Sequence, residues 1–374
     1  MAGVGFIQDR RLRADGFWSA RNQRSARTGR RPRKCGWRSL KYAYRSVDVN
    51  KGNDMKRTWF ALLALMLVAP LALGQAKDFP NKAVKVIVPF TAGSGSDTSA
   101  RYFGEQLAGV LGQPFVVEHK PGASGVISVM AVKTAPADGY MILLASNSPL
   151  SVNPVTIKDL PYDPVKDLRP LAGLTRGMNA YIVPPNSKLN TLADLVAASK
   201  QGAQPLNVGN YSAGYHLALE WFASLAGIKF NHIPYKGGAP IFTDIMGNQL
   251  DMAIVDLGGV SSLLKSGKVK ALAVSGEKRH PDFPDVPTIR ESGYPDYVNY
   301  SWTSFYVRAQ TPDDITAKLS DALLKVLATK EALEFVRKTG AELMAYAPAA
   351  MQKYHMDELA RFRRIAELTG IKPE

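Results

Sequence analysis

The segment VKVIVPFTAGSGSDTSAR (residues 84–101) predicts a strand, a loop and a helix in direct succession. Val84–Val88 is a β-branched apolar run typical of a buried parallel strand, and Pro89 ends it because proline has no N–H for the sheet ladder. Small residues follow, and a helix begins at about Asp97 and continues to about Val110. Bare backbone N–H groups and the positive end of the helix dipole favour a bound anion in such a loop.

The glycine spacing of this loop argues against a nucleotide phosphate as that anion. Gly93 and Gly95 lack a third glycine at the dinucleotide-binding spacing, and no Lys-Ser/Thr pair follows as in a P-loop. Asp97 at the helix start disfavours a phosphate dianion, so a small carboxylate suits the loop better. The alternative is structural: Ser96 or Asp97 simply caps the helix over an ordinary turn.

Strand and helix patterns alternate through the next sixty residues. Alternation of this kind predicts a parallel sheet with helices on both faces, and ligands bind beyond the carboxyl ends of its strands. The predicted order is strand 84–88, helix 99–110, strand 115–118, helix 126–134 and strand 140–145.

A second α/β unit repeats the same arrangement after residue 179. Residues 210–216 again place small and hydroxyl-bearing residues between a strand and a helix start. Two such loops, one in each unit and facing across a cleft, can clamp a small anion from both sides. We expect domain 1 to comprise residues 77–178 and 299–374 and domain 2 to comprise residues 179–298.

Two regions of the chain have weaker patterns. Residues 150–178 are rich in Pro and Asp and are predicted to be irregular, with a strand only at 180–183. The chain after residue 307 is predicted to be helical only and to pack on domain 1. The chain then crosses between the domains twice, near 178–183 and near 298–307.

The N-terminal part of the chain differs in composition from the rest. Residues 1–54 hold fourteen Lys/Arg against four Asp/Glu, which is typical of disorder. Residues 55–76 have the basic start, apolar run and small-residue end of a secretory signal peptide, too short for a permanent membrane anchor. We therefore expect Met55 to be the true start and residues 1–54 to be a mis-assigned extension, the alternative being a basic segment that binds nucleic acid.

Removal of this leader changes what the charge implies. Only +3 of the chain's formal +15 remains for residues 77–374, so the high pI does not indicate a nucleic-acid partner. The single cysteine, Cys35, lies in the predicted extension, so the exported chain would form no disulfide and carry no lipid. We expect an unanchored periplasmic protein.

A series of short motifs spread over residues 79–371 resembles one known family. The motifs are, in order, FPNK (79–82), VPFTAG (88–93) with Asp97, LGQ (111–113), KPGA (120–123), ADGY (137–140), HIPYKG (232–237), GKVKALAV (267–274) and PDVPT (284–288). They are similar to those of the extracytoplasmic solute receptors of tripartite tricarboxylate transporters, the Bug or TctC-like proteins. Each motif alone is weak, but together they are specific.

The resemblance implies a two-domain, type II-like periplasmic-binding-protein fold with two parallel-rich sheets flanked by helices and a hinge with two chain crossings. It also implies a small organic carboxylate held between the two loops and membrane transporter subunits as partners; we expect a monomer without a cofactor. The implied ligand-binding residues are Phe90, Thr91, Ala92, Gly93, Ser94, Gly95, Ser96, Asp97, Ser146, Asn147, Ser212, Ala213, Gly214, Tyr215, His216 and Asp256. Asp97 would anchor the helix start or a water.

Departures from the family pattern affect the ligand more than the fold. The family often has proline where Thr91 stands and a Gly-Gly pair where Gly93 and Ser94 stand. Tyr211 and Tyr215 bring aromatic surface to the second loop and can stack on a ring. The ligand is therefore an aliphatic di- or tricarboxylate or an aromatic carboxylate, unless the tyrosines only pack the domain surface.

Other classes of function find less support in the sequence. The five histidines show no paired spacing and no acidic partner at a metal-binding spacing, so no metal site is expected. The Gly-x-Ser-x-Gly elbow of serine hydrolases does not occur. The alternatives to a transport receptor are a ligand-sensing receptor for a two-component system and, with less support, a periplasmic enzyme.

Overall fold

The computed structural model describes residues 79–373, so the predicted extension (1–54) and signal peptide (55–76) lie outside the described residues. No helix within the described range is long and apolar enough to cross a membrane. The strands are β1 Val84–Val88, β2 Phe115–His119, β3 Met141–Ser146, β4 Leu168–Val183, β5 Leu206–Asn210, β6 Phe230–Pro234, β7 Met252–Asp256, β8 Lys270–Val274, β9 Tyr300–Arg308 and β10 Ala341–Tyr346.

Helices connect and cover these strands. A 3₁₀ turn at Ala123–Gly125 and a π-helical turn at Ser148–Val152 complete the regular structure. The α-helices are α1 Gly95–Leu111, α2 Val126–Thr134, α3 Asn153–Thr156, α4 Leu192–Gln201, α5 Ala213–Ala226, α6 Gly238–Met246, α7 Leu257–Lys265, α8 Asp313–Leu327, α9 Lys330–Lys338 and α10 Pro348–Thr369.

The strand order is β2-β1-β3-β9-β4-β7-β5-β6, and β8 and β10 also pair with β4. β1 is parallel to β2 and β3, and β5 is parallel to β6 and β7, as the alternation of strands and helices predicts. The centre is different, because β9 runs antiparallel to β3 and β4, and β4 runs antiparallel to β7. The predicted α/β architecture thus has parallel outer parts joined by an antiparallel centre.

The prediction of an irregular region up to residue 178 is wrong over its last eleven residues. β4 is one strand of 16 residues from Leu168 to Val183. It pairs with β9 as far as Met178 and with β7 from Asn179 onward, so the predicted domain boundary falls inside this strand where its partner changes. Gly173 lets this strand pack closely, because an added Cβ would lie 2.8 Å from Met351 Sδ and 3.2 Å from Tyr346 Cβ.

The prediction of helices only after residue 307 is also wrong. β10 pairs antiparallel with β4, from Ala341 opposite Gly177 to Tyr346 opposite Gly173. The last helix, α10, then contributes to two buried clusters. Met351 lies in the cluster that contains Leu143 of β3, whereas Phe362 lies in the cluster that contains Val208 of β5.

The helix that follows the first loop is fixed by apolar residues one turn apart. Phe103 and Leu107 of α1 are buried with Leu319 and Leu323 of α8, and i, i+4 spacing puts each pair on one helix face. Burial of each such side chain contributes about 1.5–3 kcal/mol to folding. The loop before α1 is therefore attached to a firmly packed helix.

Candidate functional site

The first loop ends in a capped helix. Ser94 is the N-cap residue of α1, and its Oγ accepts a hydrogen bond from the Asp97 N–H at 3.2 Å. Gly93 has φ +82°, a left-handed conformation that glycine adopts without strain. The cap position is Ser94, two residues earlier than the Ser96 of the structural alternative.

Asp97 holds this loop together from within. Its carboxylate is buried and accepts from the Gly93 N–H at 2.9 Å, from Arg101 Nε at 2.9 Å and from His119 Nε2 at 2.8 Å. Burial alone would raise the pKa of Asp97, but these hydrogen bonds and the Arg101 charge outweigh it and hold the pKa below its ordinary value. The structure therefore gives Asp97 the anchoring role and pairs it with His119, a contact that the sequence did not indicate.

The second loop is capped in the same way but is completed from outside. Ser212 is the N-cap residue of α5, and its Oγ accepts from the Tyr215 N–H at 3.3 Å. The Ala213 N–H donates to Ser124 Oγ at 3.3 Å, and the Gly214 N–H donates to Ser148 Oγ at 3.1 Å. Both acceptors follow strands of the β1–β3 part of the sheet, so these two bonds cross the cleft.

A cavity of about 250 Å³ lies between the two loops. Small and hydroxyl-bearing residues from both loops and from the ends of β3 and β9 line it. The predicted ligand-binding residues that line it are Phe90, Gly93, Gly95, Ser96, Ser146, Asn147, Ser212, Tyr215 and Asp256. Sequence reasoning missed further lining residues, among them Thr98, Ser99, Thr175, Ser301, Trp302 and Lys338.

The other predicted residues lie elsewhere. Ala213 and His216 line a second cavity of about 710 Å³, which shares Phe90, Tyr211 and Ser212 with the first. In the described part of the chain, neither cavity is lined by Thr91, Ala92, Ser94, Asp97 or Gly214. Most of these five position the loops: Ser94 and Asp97 fix the first, Gly214 bonds across the cleft, and Thr91 lies close to Gly237 of the opposite side.

The two tyrosines of the second loop form a hydroxyl cluster with Asp256. Tyr211 Oη donates to Asp256 Oδ2, and Tyr215 Oη lies 3.2 Å from Tyr211 Oη and 3.4 Å from Ser301 Oγ. Burial, followed by the Asp256 charge, raises the pKa of both tyrosines well above 10, so both stay neutral. Their rings meet edge to face at 4.8 Å, and Tyr211 meets Phe90 in the same way at 5.8 Å.

Two of the described residues that line the 250 Å³ cavity each have a buried polar atom without a partner. Within residues 79–373, neither Ser146 Oγ nor Trp302 Nε1 has a hydrogen-bond partner. Ser146 is 6% exposed and Trp302 is 1% exposed. A buried polar group without a partner costs about 1–3 kcal/mol, so these two atoms are candidate donors to a ligand.

Charged side chains contribute little to this cavity. Among the described residues that line it, only Asp256 and Lys338 are charged. An anion bound here would therefore be held mainly by neutral donors and by the positive ends of helices, which fix its position without a large desolvation cost.

Histidines also gather near the larger cavity. His216 and His232 stack with ring centroids 4.1 Å apart, and His232 Nε2 lies 2.5 Å from Glu220 Oε1. The prediction that no histidine has an acidic partner at a metal-binding spacing is therefore wrong for His216 and His232. His216 and Glu220 are four residues apart on one helix face, whereas His232 comes from β6.

Comparison with known proteins agrees with this geometry. The family model described as "Tripartite tricarboxylate transporter family receptor" matches residues 99–371. The chain belongs to this receptor family. Protein BugT of Bordetella pertussis is 31% identical to this receptor over 309 residues, covering 82% of this chain and 94% of BugT. A UPF0065 protein of Bordetella bronchiseptica is 33% identical over 321 residues, covering 83% and 95% of the two chains.

Solved structures of similar sequence have the same fold. An adipate-bound protein of R. palustris is 31% identical with a TM-score of 0.77, covering 79% of this receptor and all of that chain. The periplasmic binding protein BugD is 30% identical with a TM-score of 0.75 and the same coverage. Malate-bound MatC of Rhodopseudomonas palustris is 27% identical with a TM-score of 0.73, covering 77% and 99%. The predicted periplasmic-binding-protein fold is confirmed, and the family is one of extracytoplasmic solute receptors rather than enzymes.

Proposed function

We propose that this receptor captures a small organic carboxylate in the 250 Å³ cavity between its two loops and delivers it to the membrane subunits of a tripartite tricarboxylate transporter. The observation that carries the proposal is the set of neutral donors around the cavity. Ser146 Oγ and Trp302 Nε1 lack partners among the described residues, and the start of α1 lies in the same wall. A carboxylate can accept hydrogen bonds from donors of these kinds.

An aliphatic dicarboxylate fits the cavity better than an aromatic acid. The Tyr211 and Tyr215 rings pack edge to face on each other and on Phe90, and both hydroxyls are already hydrogen-bonded. This packing favours the alternative in which the tyrosines shape the wall rather than stack on a ligand ring. Adipate and malate, the ligands of two similar proteins, are both aliphatic dicarboxylates.

The first experiment is a thermal-shift screen of the purified protein after exhaustive dialysis. The panel contains succinate, malate, adipate, citrate and aspartate, with nicotinate, protocatechuate and terephthalate as aromatic acids. A ligand at 100 times its Kd stabilises the folded state by about 2.7 kcal/mol and raises Tm. We expect a shift with at least one aliphatic acid; a folded protein that responds to none of the panel contradicts the proposal.

Trp302→Phe tests the donor set directly. It keeps most of the buried ring but removes the unpartnered Nε1 donor, so calorimetry should show binding of the same acid weakened about fivefold to tenfold. Trp221→Phe is the matched control, because Trp221 is also buried, on α5 in the cluster that contains Val208, and lines neither described cavity. Equal affinities of the two variants would remove Trp302 from the site.

Transport and sensing make different predictions for cells. If the receptor serves a transporter, deletion of the membrane subunits abolishes uptake of the acid that the receptor binds. If it serves a sensor kinase, uptake persists while the transcriptional response to the acid depends on the receptor.

A further inference from the structure

Three side chains outside the carboxylate cavity converge on one point. They are His216 and Glu220 of α5 and His232 of β6, and their possible ligand atoms all lie within 4.8 Å of one another. The i, i+4 spacing puts His216 and Glu220 on the same helix face, one turn apart. β6 borders this face and brings His232 against both of them.

We propose that His216, Glu220 and His232 bind a divalent transition-metal ion such as Zn²⁺. Two imidazoles and one carboxylate are a common three-residue zinc site, and imidazole nitrogen selects zinc, nickel or copper over magnesium. Ligand bonds of about 2.0–2.2 Å place neighbouring donor atoms roughly 3–3.5 Å apart. The present donor atoms lie within 4.8 Å of one another, so the most distant of them must approach by about 1–2 Å to reach that spacing.

The metal would replace two close contacts that the side chains now make with each other. His232 Nε2 lies 2.5 Å from Glu220 Oε1, and this pair opens by about 1 Å when both atoms bind one ion. The His216 and His232 rings lie within 5° of parallel, so they tilt until their nitrogens converge.

The buried side-chain amide of Asn210 lies next to His232 and can fix the orientation of its ring. Asn210 Nδ2 is 3.5 Å from His232 Nδ1, and Asn210 is 4% exposed. A metal on Nε2 leaves the proton on Nδ1, and a half-turn of the amide presents Oδ1 to accept it. An acceptor of this kind fixes the orientation of metal-binding histidines.

The fourth coordination position would be open. His216 lines the 710 Å³ cavity, which Lys236 and Lys372 also line. These two ammonium groups disfavour a bare cation but favour an anion beside it, so water or a carboxylate can complete the shell. Three protein ligands and one open position are the pattern of exchangeable rather than purely structural zinc sites.

Calorimetric titration of the full chain with ZnCl₂ tests this site independently of any carboxylate. The protein is untagged and carries Cys35→Ala, because the cysteine thiolate would bind zinc by itself. We expect one Zn²⁺ per chain and no heat from Mg²⁺ at the same concentration. Glu220→Gln should weaken zinc at least tenfold, since loss of even an outer partner costs that much.

Glu334→Gln is the matched control, because Glu334 is exposed on α9 and its loss should leave the zinc affinity unchanged. His216→Ala is the second variant; its side chain is exposed, so the fold should survive, and it should lose zinc as Glu220→Gln does. Equal zinc affinity in wild type, Glu220→Gln and His216→Ala would overturn the proposal, as would Mg²⁺ binding as tight as Zn²⁺. The carboxylate-induced Tm shift, measured with a chelator present, reports separately on the proposed function.

Discussion

The two helix-starting loops of the cleft have the same cap but different supports. In the first, Asp97 ties the loop to itself through Gly93, Arg101 and His119. In the second, the N–H groups of Ala213 and Gly214 are bonded to serines on the other side of the cleft. The hydrogen bonds of the first loop are therefore all made within one half of the molecule. Those of the second loop include two that form only when the halves meet.

This difference assigns separate tasks to the two loops. Because the first loop is already ordered, it loses little conformational entropy when a ligand binds. A loop whose hydrogen bonds cross the cleft adds stability only to the closed form and so couples closure to occupancy. Substitutions in the first loop should mainly change folding, and substitutions in the second should mainly change affinity.

The largest effect is expected from Asp97→Ala. It removes a buried carboxylate and leaves the Gly93 N–H, Arg101 and His119 without their shared acceptor, which should cost about 3 kcal/mol in the free energy of unfolding. Urea unfolding measures this cost. Asp321→Ala, at an exposed position of α8, is the control and should change stability by less than about 0.5 kcal/mol.

Acidic pH should also remove the contribution of the Asp97 carboxylate to the free energy of unfolding. The folded-state pKa of Asp97 lies below the ordinary 3.8, so its stabilising effect is fully present above pH 3.8 and is lost as pH falls through the folded-state value. The difference in unfolding free energy between wild type and Asp97→Asn should be constant near neutral pH and shrink below pH 3.8. A difference that grows with acidity would contradict the anchoring role of the carboxylate.

Gly214→Ala should separate affinity from stability. An added Cβ would lie 2.9 Å from Ser148 Oγ and 3.0 Å from Asn147 Nδ2, so it pushes the two sides of the cleft apart. We expect ligand affinity to fall about tenfold by calorimetry, equivalent to about 1.4 kcal/mol, with little loss of Tm in the ligand-free protein. Gly109→Ala, on the exposed side of α1 with no atom within 4 Å, should leave affinity unchanged.

Ser148→Ala should have a smaller effect in the same direction. It deletes one bond across the cleft, from the Gly214 N–H, and loss of a single neutral hydrogen bond costs about 0.5–1.5 kcal/mol. The expected loss of affinity is about threefold to tenfold. Ser199→Ala removes a hydroxyl contact to Lys229 O far from the cleft and serves as the control.

The smallest effect expected is a change in selectivity at Asp256. Its carboxylate accepts from Tyr211 and faces Gly95 in the cavity wall, so it repels a second carboxylate but accepts from a ligand hydroxyl or ammonium. In Asp256→Asn, succinate should gain a few-fold in affinity relative to malate and aspartate. An unchanged order of affinities among the three acids would show that Asp256 acts only through Tyr211.

Local sequence predicts the loops well because their chemistry is local. Pro89 ends a strand, small residues follow, and a helix must begin, so a loop that leads into a helix start is predictable without any tertiary contact. Local sequence fails at β4 because tertiary packing overrides propensity. Pro170 and Gly173 break the strand pattern, yet bulges against β9 accommodate them and the Met351 side chain packs closely against the glycine.

Most of the site residues that sequence reasoning missed come from distant segments, although Thr98 and Ser99 directly follow the first loop. Trp302 reaches the cavity from β9, more than two hundred residues after the first loop, and Lys338 comes from α9. The Asp97–His119 and Glu220–His232 pairs likewise join different elements. Only the i, i+4 spacing of His216 and Glu220 was visible in the sequence, and it was a usable signal.

The long strand β4 also limits which insertions the chain accepts between the two halves of the molecule. Side chains alternate between the faces of a strand, so one inserted residue between Arg176 and Asn179 would turn every later side chain of β4 to the opposite face. Tyr181 and Val183 would then leave the buried cluster that they share with α5, and the helix that follows the second loop would lose this packing. Surface loops tolerate insertions readily, but an odd insertion at this crossing is tolerated only if a bulge such as those near Pro170 and Gly173 absorbs it.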